Sequence, residues 1–252
     1  MHPQRVAIVT GARRGLGEQI CRELVRGGFQ VATCARSPEP PQLGEALHRG
    51  VDVADPDSVK RFVGEVLGLW GRIDVLVNNA GVSHGVSPLQ ETDDAAVQES
   101  IRTNLLGPYF VMKQVLPVML RQPEGGVVVN VASRAGITPV PGLAAYSASK
   151  AGLVALTLAA AKELRNTPVF VASVCPGGMR TNLRADLFGE DNARTQQDPN
   201  DVAGVVIELI DGRTVKGHEV PAGSSIVVSE PEGIRVIAWP TDERGFEHLV
   251  FE

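Results

Sequence analysis

Short runs of aliphatic and β-branched residues alternate along this chain with longer stretches in which apolar positions recur every three to four residues. That alternation predicts strand–helix–strand units wound about a parallel sheet. The candidate strands are residues 6–10, 30–35, 49–53, 73–78, 126–132, 168–175 and 217–228. They are apolar almost throughout, as strands covered by helices on both faces should be. The helical stretches between them are 15–26, 57–70, 93–121, 143–164 and 199–210. The last opens with Asp198 as N-cap, Pro199 at the first helical position and Asp201 in the first turn. Pro38, Pro40 and Pro41 leave room for only a short helix in the second crossover. The expected fold is α/β, a doubly wound parallel sheet of about seven strands with helices on both faces. No repeat, low-complexity tract or linker divides residues 1–252, so one domain is expected, with residues 229–252 as an atypical, β-rich tail.

Composition narrows the function classes. With 252 residues, 43% of them hydrophobic, the chain buries a large core. A net charge of -5 with scattered Lys and Arg gives no footprint for nucleic acid. Cys21, Cys34 and Cys175 are odd in number and lack metal-ligand spacing, so no metal is expected and a reducing, cytoplasmic setting is. There is no signal-peptide pattern at residues 2–6, and no uninterrupted apolar run reaches the about 18 residues of a membrane span.

Candidate chemistry begins directly after the first strand, at TGARRGLG, residues 10–17. Strand, glycine turn and helix in that order form a phosphate cradle: glycines reach backbone angles closed to other residues and let a pyrophosphate approach the helix N-terminus. Thr10, Gly11, Arg13, Arg14, Gly15, Leu16 and Gly17 are therefore candidate dinucleotide-binding residues; a bare tight turn is the plainer alternative. The cofactor's 2′ position is read at the end of the second strand, where Cys34, Ala35, Arg36 and Ser37 carry no carboxylate. Arg36 and Arg14 together predict NADP(H), against the alternative that both are ordinary surface arginines. Asp52, with Val53 beside it, is placed to accept from the adenine amino group or to shape the turn before Asp55 and Pro56.

YSASK sets Tyr146 and Lys150 four apart at a helix start, hence on one face. A tyrosine ordinarily titrates near pH ~10. An adjacent ammonium favours the phenolate and makes the group a workable proton donor to a carbonyl. Ser133, at the carboxyl edge of the fifth candidate strand, is placed to hydrogen-bond the developing alkoxide. NNAG, residues 78–81, ends the fourth strand in the same crevice.

Taken together, TGARRGLG, NNAG, the asparagine of RTNLLG, the serine of VASRAG, YSASK and CPGGMRT resemble the short-chain dehydrogenase/reductase family, single-domain kind, similar to 3-oxoacyl-carrier-protein reductases. The resemblance covers residues 6–228 and implies a Rossmann-type fold. It also implies that Ser133 orients a carbonyl, Tyr146 exchanges its proton, Lys150 bonds the nicotinamide ribose, and Asn104 holds a water linking Lys150 to solvent. Asn78, Ala80 and Gly81 would line the adenosine ribose; Pro176, Gly177, Met179 and Thr181 would position the nicotinamide, whose hydride leaves from the pro-S face. A homodimer or homotetramer is implied, with helix faces 104–120 and 143–164 as the dimer contact. The chain departs from the pattern at PAGSS, residues 221–225, where relatives often carry a glycine pair, and in its long tail. The substrate pocket is expected from residues 82–84, Arg134, residues 140–143, and residues 182–197 as a mobile lid. His84 reads as a second acid or a pocket wall; Arg134 as a partner for a substrate carboxylate or phosphopantetheine, or for a nearby acid. The expected function is an NADPH-dependent reductase of a ketone or β-keto thioester. An NAD-dependent alcohol dehydrogenase and a non-catalytic dinucleotide sensor are the alternatives.

Overall fold

The computed structural model describes residues 4–41, 46–229, 233–238 and 247–251. Its strands are β1 (Val6–Thr10), β2 (Gln30–Ala35), β3 (Leu47–Gly50), β4 (Val75–Asn78), β5 (Gly126–Val131), β6 (Val169–Pro176), β7 (Thr214–Val215), β8 (His218–Glu219), β9 (Ser225–Ser229), β10 (Gly233–Ala238) and β11 (Glu247–Phe251). The helices are α1 (Gly15–Arg26), α2 (Pro56–Trp70), α3 (Asp94–Ile101), α4 (Gly107–Met119), α5 (Ala144–Glu163), α6 (Asn182–Phe188), α7 (Glu190–Arg194) and α8 (Pro199–Gly212). The main sheet runs β11-β10-β9-β6-β5-β4-β1-β2-β3, and β7 and β8 form a separate hairpin. From β3 to β9 every pairing is parallel, which accounts for the seven strands expected. β10 and β11 continue the sheet antiparallel beyond β9.

The strand order changes direction at β1, which lies between β2 and β4. A crevice opens there at the carboxyl ends of the strands, because successive crossovers leave on opposite faces. Alternation along β1 sorts its side chains between the two layers. Ala7 and Val9 pack with Leu16, Ile20 and Leu24 of α1 and Val202, Val206 and Leu209 of α8. Val6 and Ile8 pack with Val59, Phe62 and Val66 of α2 and Val111, Val115 and Met119 of α4. Asp198 caps α8 as expected, accepting from the Asn200 amide at 2.9 Å.

Several boundaries differ from the sequence reading. Residues 93–121 are not one α-helix: a π turn at Arg102–Leu106 separates α3 from α4, with the Gly107 N–H reaching the Arg102 carbonyl five residues back. Pro108 has no N–H to offer the Asn104 carbonyl, so the regular i to i−4 ladder is interrupted at that step. The third strand ends at Gly50, and residues 51–53 leave the sheet to line the crevice. Of residues 217–228 only the end is sheet strand; Gly217 (φ 77) turns the β7–β8 hairpin. Among residues 37–41 and 46 there is no helix, and the rest of that crossover lies outside the described residues. α5 is the described helix long and apolar enough to cross a membrane by length and composition, although polar residues interrupt its apolar run. It carries Tyr146 and Lys150, and its buried face includes Leu153, Val154 and Thr157.

A polar chain crosses the centre of the sheet. Asn78 Nδ2 donates to Asn130 Oδ1 at 2.8 Å, Asn130 Nδ2 to Thr157 Oγ1 at 2.9 Å, and Thr157 Oγ1 to the Leu153 carbonyl at 2.7 Å. All three side chains are buried, so each needs its partner. Asn130→Ala strands the Asn78 amide and is expected to cost about 2–4 kcal/mol, through loss of the bonds plus a small cavity. Denaturant melts of parent and variant check this; a cost below about 0.5 kcal/mol would contradict it.

Candidate active site

The crevice is a groove of about 440 Å³ running from the end of β2 to Tyr146. Its floor is made by two loops locked together. Thr10 Oγ1 accepts from the Asn79 and Ala80 amides at 3.1 and 3.0 Å, and Asn79 Nδ2 donates to the carbonyls of Thr10 and Gly11 at 3.0 and 2.9 Å. The approach is so close that a Cβ on Gly11 would lie 2.7 Å from Ala80 Cα, and Gly11 has φ +67. A Cβ on Gly17 would lie 2.4 Å from Asn79 Nδ2, so the third glycine also serves this contact. Arg14, the N-cap of α1, makes no side-chain cap bond, which leaves the first-turn amides facing the groove. Groove length, glycine cradle and uncapped helix start fit a dinucleotide.

Of the predicted cofactor residues, Gly11, Arg13, Arg14, Gly15, Leu16, Arg36, Asp52, Val53, Ala80, Gly81, Tyr146, Lys150, Met179 and Thr181 line this groove. Asn78 does not; its side chain turns inward to Asn130, and its neighbour Asn79, which the sequence reading passed over, lines the groove and ties the loops. Thr10 and Gly17 act from beneath through the contacts given above. Pro176 and Gly177 line a second, smaller chamber. Asp52 Oδ1 accepts from the Ala54 amide at 2.9 Å, the turn-shaping alternative. Arg36 is paired with Glu99 at 2.8 Å, and Glu99 also lies 3.4 Å from His84. Arg13 pairs with Glu39 at 3.0 Å.

The groove meets the chamber, of about 120 Å³, at Ala132, Tyr146, Met179, Thr181 and Leu183. Ser133, lining only the chamber, hydrogen-bonds to Tyr146, and its Oγ also accepts from the Ala135 amide at 3.1 Å. Lys150 lies buried, its Nζ donating to the Val131 carbonyl at 2.8 Å and standing 6.0 Å from the Tyr146 ring centre. Asn104 is wholly buried and tied down. Its Oδ1 accepts from the Val82 amide at 2.8 Å, and its Nδ2 donates to the Val82 carbonyl and Ser149 Oγ, both at 2.9 Å. Asn104 and Lys150 converge on Gly81, where a Cβ would lie 3.3 Å from Asn104 Oδ1 and 3.4 Å from Lys150 Nζ. The inner serine of YSASK, Ser149, is thus a supporting residue that spacing alone did not mark.

Electrostatics differ from the expectation that an adjacent ammonium depresses the tyrosine. Burial pushes Tyr146 up, the Ser133 hydrogen bond pulls it down, and the nearby Cys175 thiol adds a smaller upward push. Lys150 is itself pushed down to about 8 by burial, with Cys175 opposing. Desolvation outweighs pairing because, among the described residues, the ammonium has no ion pair; its hydrogen bond goes to a neutral carbonyl.

Residues 182–197, expected as a mobile lid, include α6 and α7, and at the far end Gln197 Nε2 donates to the Val228 carbonyl at 3.0 Å. Leu183, Arg184, Leu187 and Phe188 from α6 wall the chamber, opposite Arg134 and Val140. His84 lies outside that chamber, in a shallow depression on the other side of Tyr146.

The lowered Lys150 has a signature in stability. The unfolded lysine keeps its proton to about pH 10.4, whereas the folded one releases it near about 8. Between those values the unfolded state binds more protons, so this group's contribution to stability rises with pH. The difference in melting temperature, parent minus Lys150→Met, is expected to shift in the parent's favour by a few degrees from pH 7.5 to 10. A shift in the other direction in paired calorimetric scans would contradict the assignment.

Comparison with known proteins agrees with this geometry. The family model described as short chain dehydrogenase matches residues 5–192. The chain is 38% identical over 200 residues to a 3-oxoacyl-(acyl-carrier-protein) reductase of Staphylococcus aureus, covering 75% of this chain and 80% of the relative. Among solved structures it resembles a 3-ketoacyl-(acyl-carrier-protein) reductase from Brucella melitensis complexed with NADH, with TM-score 0.81, 26% identity, and 89% of this chain and 96% of that one covered. It also resembles an actinorhodin polyketide ketoreductase variant with NADPH, with TM-score 0.77, 30% identity, and coverages of 90% and 96%. With three quarters of its length matched by the family model and a relative 38% identical over 75% of the chain, the chain belongs to the short-chain dehydrogenase family of oxidoreductases.

Proposed function

We propose that the protein is an NADPH-dependent reductase, reversible in principle, acting on a ketone or a β-keto thioester with Tyr146 as general acid and base. The observation that carries this reading is the convergence of Ser133, Tyr146 and Lys150 where the dinucleotide-sized groove opens into the chamber. The names of the relatives, 3-oxoacyl and polyketide reductases, support the carbonyl class.

The α1 glycine loop, Ala80, Gly81, Met179 and Thr181 would hold a nicotinamide cofactor, which would supply hydride for the carbonyl carbon. The chain's own residues handle the oxygen. Ser133 and Tyr146 donate hydrogen bonds to it and fix its direction. As negative charge grows there, the Tyr146 O–H bond breaks and its proton passes to the oxygen, leaving an alcohol and a phenolate. The Lys150 ammonium, anchored on the Val131 carbonyl, stabilises that phenolate and lies on the way by which it is reprotonated. Asn104 completes the relay. Its side chain, held by Val82 and Ser149, converges with Lys150 on Gly81, and we assign to it the water that links Lys150 to solvent.

The preference for NADPH rests on Arg14 and Arg36 at the 2′ end of the groove and on the lack of any carboxylate from Gln30 to Pro38. Arg14 is exposed and forms no ion pair with a described residue, and Arg36 is within reach of the same point. Glu99 is the one feature that favours the NAD-dependent alternative, because it occupies Arg36. An exposed pair of that kind is worth little, and a 2′-phosphate dianion is a stronger partner for a guanidinium. For assembly, the edge of β9 is covered by β10, while Leu106, Tyr109 and Leu120 on the helical side are exposed apolar groups. That combination favours a homodimer through the α4–α5 face.

Tyr146→Phe is expected to lower the rate of NADPH oxidation with ketones and β-keto thioesters by about 10²–10⁴-fold while leaving NADPH binding intact. Equal rates would favour the non-catalytic dinucleotide sensor instead. Arg36→Ala is expected to cut the NADPH-over-NADH preference in kcat/KM by about tenfold, and Glu99→Gln to raise it a few-fold. If neither substitution moves the preference, Arg36 does not read the 2′ position.

A further inference from the structure

The chamber beside Ser133 and Tyr146 is lined by an arginine, Arg184, that the reaction chemistry does not require. Arg134 and Arg184 both line it, and no Asp or Glu appears among its described lining residues. The rest of its wall is apolar, chiefly Val140, Leu143, Leu187 and Phe188. Arg184 is held in place twice: its guanidinium stacks on the Phe188 ring at 4.0 Å from the centre, and its Nε donates to Asn192 Oδ1 at 2.8 Å. It forms no ion pair with a described residue, and its two terminal nitrogens make no hydrogen bond to a described residue. Burial and the positive charge of Arg134 both press against its own charge. A stacked, Nε-anchored guanidinium has little rotamer freedom left to lose, and its free edge is shaped for an oxoanion.

From this we propose that the substrate carries its own oxoanion, bound by Arg184 with Arg134 beside it, while Ser133 and Tyr146 hold its carbonyl. The inference rests on the hydride-transfer reading above and names the substrate class for it. Arg134 directly follows Ser133 in sequence, so the anion subsite adjoins the carbonyl subsite within one chamber. A volume of about 120 Å³ is well below the roughly 300–1,000 Å³ of drug-sized ligand pockets. The anion and carbonyl are therefore close together in a short molecule, and a carboxylate on an oxo acid meets that limit directly. The terminal phosphate of a phosphopantetheine thioester offers the same oxoanion chemistry to Arg184 from the chamber mouth.

The test uses matched compounds with NADPH: a short 3-oxo acid, its methyl ester, and the phosphopantetheine thioester of the same acid. Parent, Arg184→Gln and Arg184→Lys are compared, each first shown to melt near the parent temperature. For the parent, one of the two anionic compounds is expected to have a lower KM than the ester. Arg184→Gln is expected to raise that KM by about tenfold more than it raises the ester's, and Arg184→Lys to recover part of the loss. Which anionic compound responds identifies the source of the oxoanion. If acid, thioester and ester respond alike to Arg184→Gln, the anion subsite is overturned. If no carbonyl compound is reduced by any form, the hydride-transfer reading falls. In that case calorimetric titration of the oxo acid into the NADPH-loaded protein still decides the subsite, by whether binding is lost in Arg184→Gln.

Discussion

Everything at the crevice depends on how closely the loop after β1 meets the loop after β4. Thr10 and Asn79 exchange hydrogen bonds with each other's backbone, and the two chains approach to a distance that leaves no room for a side chain at Gly11. The contact holds the glycine turn open as a cradle rather than letting it collapse onto the sheet. It also fixes where NNAG runs on to Gly81, and Gly81 in turn is the surface against which Asn104 and Lys150 rest. The cofactor end and the proton-handling end of the site are therefore set by one junction. Because Thr10, Gly11, Asn79 and Ala80 form it among themselves, substitutions on the surrounding helices reach it only indirectly.

The proton-handling end is tuned by burial more than by pairing. Lys150 sits under the strand ends with a neutral carbonyl as partner, and Tyr146 has Ser133 as the group that eases its ionisation. Burial weakens the charged form of both groups: the lysine loses its proton more readily and the tyrosine keeps its own. A positive charge arriving in the groove favours the phenolate of Tyr146 and presses further against the ammonium of Lys150. The chamber on the other side of Tyr146 is arranged differently, with Arg134, Arg184 and apolar side chains around Ser133.

The elements with strong periodicity were legible in the sequence. α1 matches its expected bounds, and the run from β4 through β6 keeps its order, because each strand is apolar on both faces and each helix has one apolar stripe. The break between α3 and α4 was hidden, since Asn104 and Pro108 leave the hydrophobic repeat intact while interrupting the hydrogen-bond ladder. The helices α6 and α7 were unreadable for the opposite reason: they are too short to show a period and take their shape from Thr181 at one end and Gln197 at the other. At the site, motif spacing brought out Ser133, Tyr146 and Lys150. Asn79, Ser149, Glu99 and Arg184 act through partners distant in sequence, and no local spacing marks such contacts.

The central claim is that this fold performs hydride transfer, with Tyr146 supplying the proton, and it can be read in one product. A ketone is reduced with NADPH carrying deuterium at the pro-S position of C4, and the alcohol is examined by mass spectrometry. The account predicts one deuterium on the carbinol carbon of essentially every product molecule, and a hydroxyl proton drawn from solvent. An alcohol without deuterium, formed while the label stays on the oxidised cofactor, would contradict the assigned geometry, and no alcohol from any carbonyl class would contradict the function.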